Sequence, residues 1–135
     1  MAEFTLHPQL DNDTFVVANF TLCQVLLMND ANFPWLVLVP KVPDIREIHE
    51  LTPGDQQQLM QEITFVSTRL QRLTRADKMN VAALGNMVPQ LHVHVIARFE
   101  TDAAWPGPMW GKVPAAPYSD DALEEMMAKL KKILI

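Results

Sequence analysis

Three runs of β-forming residues follow one another with only short polar breaks such as Asn29-Asp30-Ala31-Asn32 between them: Phe15-Val16-Val17-Ala18-Asn19-Phe20, Cys23-Gln24-Val25-Leu26-Leu27-Met28 and Trp35-Leu36-Val37-Leu38-Val39. Parallel neighbours need a crossover of roughly a dozen residues or more, and none fits into these connections. The spacing excludes a parallel sheet here and predicts an antiparallel meander.

Pro40 and Pro43 end the third run. Thr52-Pro53-Gly54-Asp55 then reads as a helix start, with Thr as N-cap, Pro at the first helical position and a carboxylate three residues after the cap. Leu59, Ile63, Val66, Leu70 and Leu73 recur at steps of four and three, which lays one apolar stripe along a long helix. Met79 to Leu84 returns to β character before Gly85, and a further strand follows Pro89. A Pro/Gly-rich connector, with Trp105-Pro106-Gly107-Pro108-Met109-Trp110-Gly111 and Pro114-Ala115-Ala116-Pro117, leads to a last helix capped by Ser119-Asp120-Asp121. Leu123, Met126, Met127, Leu130, Ile133 and Leu134 form its apolar face. The start, Leu6 to Asp13, is punctuated by Pro and Asx residues and reads as loop, with His7 at the surface. These elements predict an α+β fold: an antiparallel sheet of about five strands, a long central helix and a C-terminal helix in one domain over residues 1–135.

Eleven Lys and Arg against sixteen Asp and Glu give a net charge of -5, so the chain lacks the basic footprint that grips a nucleic acid polymer. Cys23 is the only cysteine, which excludes an intrachain disulfide and a Cys-rich metal site. No run of about eighteen apolar residues and no basic leader occur, so a soluble, cytoplasmic protein without membrane partners is expected. The four glycines stand at 54, 85, 107 and 111, a spacing that allows neither a phosphate loop of the Gly-x-x-x-x-Gly-Lys type nor a dinucleotide fingerprint.

Chemistry concentrates in Val88-Pro89-Gln90-Leu91-His92-Val93-His94-Val95-Ile96-Ala97-Arg98. Strand alternation puts Gln90, His92, His94, Ile96 and Arg98 on one side and Leu91, Val93, Val95 and Ala97 on the other. Alternate residues of a strand lie roughly 7 Å apart, about the span of a phosphate group with its attacking and leaving atoms. Two imidazoles so placed make a candidate site, and they can share a zinc if His7, His49, Cys23 or a carboxylate supplies a third ligand.

The run Gln90-Leu91-His92-Val93-His94-Val95-Ile96 resembles the His-apolar-His-apolar-His-apolar-apolar pattern of the histidine triad family of nucleotide hydrolases and transferases at every place but the first. Gly85-Asn86 ahead of it and Val37-Leu38-Val39-Pro40-Lys41 are similar to further features of that family, so the resemblance spans about Phe15 to Arg98. It implies a histidine triad fold, a homodimer, and attack by His92 on the α-phosphorus of a purine nucleotide or nucleotide conjugate, giving a nucleotidyl-histidine that water cleaves. Catalytic positions then fall to His92, His94 and Gln90, and substrate contacts to Asn29, Asn80, Asn86, Met87 and Arg98, with no cofactor. Arg98 is expected to steer an anionic substrate, and Trp105 and Trp110 offer faces for a base. Two departures stand out: Gln90 cannot titrate, and Met87, where relatives carry Ser or Thr, cannot donate a proton. A nucleotide binder without turnover is the alternative they leave open, and a His-ligated metallohydrolase is the other.

Overall fold

The computed structural model describes residues 3–135. The meander consists of β1 (Thr14–Asn19), β2 (Cys23–Met28) and β3 (Trp35–Pro40), paired antiparallel in chain order. Helix α2 (Pro53–Thr74) then crosses one face, and β4 (Lys78–Ala82) and β5 (Val93–Arg98) complete the sheet. Because β5 inserts between β3 and β4, the order is β1-β2-β3-β5-β4, with every neighbour antiparallel. Helix α3 (Asp120–Leu134) packs against α2 and β1. This is the α+β architecture that the short connections and the two capped helices predict.

The caps of α2 follow the sequence closely. Thr52 accepts the N–H of Asp55 at 3.1 Å, Pro53 opens the first turn, and Arg75 at φ 57 closes the last one in the left-handed region. Leu59, Ile63, Val66 and Leu70 are buried as the stripe requires. Glu62 is buried among them, and its carboxylate accepts the N–H groups of Leu22 and Cys23 at 2.9 and 2.8 Å and the Gln58 amide at 2.7 Å. Lys41 holds the same β1–β2 turn through its own N–H to the Leu22 carbonyl and its Nζ to the Phe20 carbonyl, both at 2.8 Å. The Val-Pro-Lys stretch at the end of β3 is thus a structural tie. Burial, reinforced by the neighbouring Glu62 charge, pushes the Cys23 thiol upward and keeps it neutral.

Residues paired across antiparallel strands point to the same side, so the register sorts the sheet into two faces. Val25, Leu27, Leu36, Leu38, Val93, Val95 and Ala97 face the helices and pack with Leu59, Val66, Leu70, Leu130 and Leu134. The opposite face, which carries His94, Ile96 and Arg98, is covered by two pieces of chain without long helices. The N-terminal segment lays Phe4, Leu6 and Leu10 over Leu26, Val37 and Val39, while the connector after β5 lays Ala104 and Met109 over Phe33 and Ile96.

Two local expectations are corrected. Residues 8–13 form a short helix, α1 (Pro8–Asp13), with His7 as a half-buried N-cap whose Nδ1 accepts the Gln9 N–H at 3.0 Å. Six residues do not hold a helix by propensity; burial of Leu10 against the sheet does. The histidine stretch is a strand only from Val93, because Pro89 has no N–H to offer and the Leu91 N–H turns to the Ile45 carbonyl at 2.9 Å.

Candidate active site

His92 and His94 flank the start of β5, both almost fully buried, with ring centroids 4.9 Å apart in an edge-to-face arrangement. Each ring is fixed through its Nδ1, by partners of opposite character. His92 Nδ1 lies 2.7 Å from the Gln90 carbonyl, which can only accept, so Nδ1 carries the proton and Nε2 keeps a free lone pair. His94 Nδ1 accepts the indole N–H of Trp35 at 3.0 Å, and an indole can only donate, so the His94 proton sits on Nε2. Burial, with the adjacent His92, lowers the His94 pKa to about 4 and keeps it neutral at physiological pH. The site pairs one imidazole able to attack with one able to donate.

A cavity of about 460 Å³ opens in front of the two rings. Leu10 and Met28 give it an apolar wall, Trp35 and Trp110 close it beside His94, and Asn86 and Met87 form the rim near His92. Trp110 meets His94 edge-to-face at 4.8 Å and Trp35 at 5.7 Å, so the connector supplies a cover over the second imidazole. Gly85, at φ +72, takes the left-handed conformation that favours glycine and turns the chain from β4 into the rim. Among the described residues none accepts the N–H of Met87 or Val88 at the rim. A second cavity of about 330 Å³ touches His92 beside Arg46, Glu47, His49 and Gln56. Its charges are mixed in sign.

Several residues expected at the site are committed elsewhere. Arg98, expected to face an anionic substrate, is 2% exposed and gives Nε and Nη2 to Asp102 at 2.7 and 3.1 Å, Nη1 to Asn80 Oδ1 at 2.9 Å and Nη2 to the Gly107 carbonyl at 2.9 Å. Hydrogen bonds from Arg98 hold the Asp102 carboxyl well below the usual carboxylate range. Asp102 also accepts the N–H groups of Phe99, Ala104 and Trp105, so this pair ties down the start of the connector. Asn80 is the partner of Arg98 and lines a separate cavity of about 320 Å³, which shares only Trp110 with the lining of the main one. Asn29 Oδ1 accepts the Tyr118 N–H at 2.9 Å and anchors the far end of the connector. The Gln90 carboxamide does not hold an imidazole: Oε1 accepts the His7 N–H at 2.8 Å and Nε2 donates to the Thr5 carbonyl at 2.9 Å. His92, His94, Asn86 and Met87 do come together around the cavity.

The third ligand required by a zinc site is not brought to the pair. Cys23 lies in the core under the helices, His7 caps α1 and His49 is exposed in the short 3-10 turn Ile48–Glu50. Among the described residues no group of three His, Cys, Asp or Glu is placed to hold a metal ion. Sequence reasoning missed Trp35, Gln9, Leu10 and Asp13 as cavity residues. Trp35 comes beside His94 through the pairing of Trp35 with Ile96 and Val37 with His94, a register set by residues about sixty positions apart.

An antiparallel sheet backed by one long helix, with two tautomer-fixed imidazoles, one on an inner strand and one just before it, beside an apolar cavity, defines an α+β protein built around a histidine pair. A family model described as the HIT domain matches residues 9–101, and the chain belongs to this histidine triad family. A solved histidine triad protein from Bradyrhizobium japonicum is 44% identical, with 99% of this chain and 100% of that one covered and a TM-score of 0.97. One from Marinobacter aquaeolei VT8 is 50% identical over 98% of this chain and 97% of its own, with a TM-score of 0.96. A third, from Sinorhizobium meliloti 1021, is 46% identical over 97% of each chain, with a TM-score of 0.94. No curated protein matches.

Proposed function

We propose that this HIT protein, of a branch with Gln in the first triad position, is a nucleotide-phosphate hydrolase or nucleotidyl transferase acting at the α-phosphorus. The observation that carries the reading is the bond from His92 Nδ1 to the Gln90 carbonyl, which leaves the Nε2 lone pair free. In the first step an Nε2–phosphorus bond forms while the bond to the leaving group breaks, and that group departs with the electron pair and is protonated from solvent. In the second, water attacks phosphorus and gives up a proton to solvent, the phosphorus–nitrogen bond breaks and the electron pair returns to Nε2. His94 Nε2–H donates to a phosphate oxygen as charge grows on it, and the Met87 and Val88 amides add donors at the rim. The apolar wall and the Trp35 and Trp110 rings suit a purine base. The substrate class is a purine nucleoside phosphoramidate or dinucleoside polyphosphate.

The same reading takes residues 1–135 as one domain, working in the cytoplasm as a homodimer. Support for the dimer is the free edge of β4, where Val81 is 48% exposed. No described helix is long and apolar enough to cross a membrane.

One observation favours a second reading, a nucleotide binder without turnover. The Gln90 carboxamide is taken up by the His7 N–H and the Thr5 carbonyl and Met87 is a thioether 95% exposed at the rim, so neither side chain protonates a leaving group. Incubation with adenosine 5′-phosphoramidate, with and without chelator, separates the readings. Hydrolysis untouched by chelator and a nucleotidyl adduct on His92 in quenched samples are expected. His92→Ala is expected to bind AMP and release no product. A His92→Ala protein that keeps more than a few per cent of the rate sinks the nucleophile assignment.

A further inference from the structure

We propose that Gln90 is a positioning residue for the nucleotide cavity, acting through the N-terminal segment, and that it governs ligand affinity rather than the reactivity of His92. The inference rests on the functional reading above. The Gln90 side chain makes a two-point clamp: it accepts from the His7 backbone at 2.8 Å and donates to the Thr5 carbonyl at 2.9 Å, across more than eighty residues of sequence. Between and beside these points Phe4 and Leu6 lie against the Leu26, Val37 and Val39 surface, and His7 caps α1. That helix delivers Gln9, Leu10 and Asp13 to the cavity wall. A carboxamide suits the task because it presents one acceptor and one donor at once.

The connection to His92 runs through the backbone instead. The Nδ1 partner is the Gln90 carbonyl, which any residue at this position supplies. Side-chain substitution here therefore separates binding from chemistry. The wall it seats is a helix of six residues with one buried side chain, Leu10; its far end is tied to the sheet by the Asn29 N–H on the Asp13 carbonyl at 3.0 Å, so the clamp at Gln90 holds the end that the sheet does not.

The test compares wild type, Gln90→Ala, Gln90→Glu and Leu6→Ala. Leu6 packs in the segment without lining the cavity, so it reports on seating alone. AMP is titrated at equilibrium, adenosine 5′-phosphoramidate is followed in single turnover at saturation, and amide exchange is read over residues 6–11. Gln90→Ala is expected to weaken AMP roughly tenfold, the order of one net hydrogen bond, with the saturated rate changed less than about threefold. Exchange at the His7 amide and through α1 is expected to rise. Gln90→Glu keeps the acceptor for His7 and loses the donor to Thr5, so it falls between. Leu6→Ala is expected to weaken AMP as well, and to add less than its full effect to Gln90→Ala because both loosen one segment. A fall in the saturated rate with AMP affinity and exchange unchanged overturns the proposal and leaves the functional reading standing. Failure of the wild type to bind AMP overturns both.

Discussion

The neutral His94 makes a prediction that can be worked through. Its pKa is about 4 in the folded protein against an ordinary value of 6.5, with burial as the main cause and the neighbouring His92 second. In the unfolded chain His94 takes up a proton as the pH falls through about 6.5, whereas in the folded chain it resists until about pH 4. Between these limits the unfolded state binds more protons, so acidification favours unfolding and the loss is complete once the folded pKa is passed. At 1.36 kcal/mol per pH unit the gap amounts to about 3 kcal/mol. His94→Asn isolates the effect, because the Asn Oδ1 occupies roughly the place of Nδ1 and still accepts the Trp35 indole N–H while removing the titration. Urea unfolding of both proteins between about pH 7 and pH 4 should show the wild type losing about 3 kcal/mol more than the variant, whatever the constant offset from the smaller side chain. Asp102 does not interfere: its lowered pKa removes stability only as the pH drops below its ordinary 3.8, and it is common to both proteins. Parallel stability curves across the window would refute the burial argument, and with it the view that His94 enters the reaction as a neutral donor.

Other consequences are open to direct measurement. Arg98→Met leaves the Asp102 carboxylate buried without its partner and is expected to cost about 3–5 kcal/mol in urea unfolding, with a change in tryptophan fluorescence as Trp110 loosens; unchanged stability rejects Arg98 as the connector's anchor. Sedimentation at micromolar concentration is expected to report about twice the 15.3 kDa chain mass, with Val81→Lys shifting it toward one chain by placing a charge on the β4 edge; a clean wild-type monomer rejects the homodimer.

What the sequence made legible follows from how local the determining interactions are. The meander, α2 with its Thr52 cap and the α3 stripe depend on neighbours within a few residues, and each stands where the pattern puts it. The pair His92 and His94 was legible for the same reason. The burial of Arg98 was not legible, because it depends on Asp102 and Gly107, whose positions are set only once the connector folds back. The partners of Asn80 and Asn29, Arg98 and the Tyr118 N–H, were not legible because they come from other elements. The short α1 gave no periodic signal, being held by contact rather than propensity.

The insertion of β5 between β3 and β4 also bears on the order in which the protein can be made. A ribosome that has released only the first three strands exposes a β3 edge of Trp35, Leu36, Val37 and Leu38, whose backbone partners in β5 are some sixty residues from being synthesised. Helix α2 can cover a face of that meander but cannot pair its edge. The β3 edge therefore stays unpaired until one late, long-range pairing closes it, which by loop-closure entropy is the slow kind. The closing strand is the one that carries His94, so the nascent chain loses its unpaired edge and acquires its paired imidazoles in the same event.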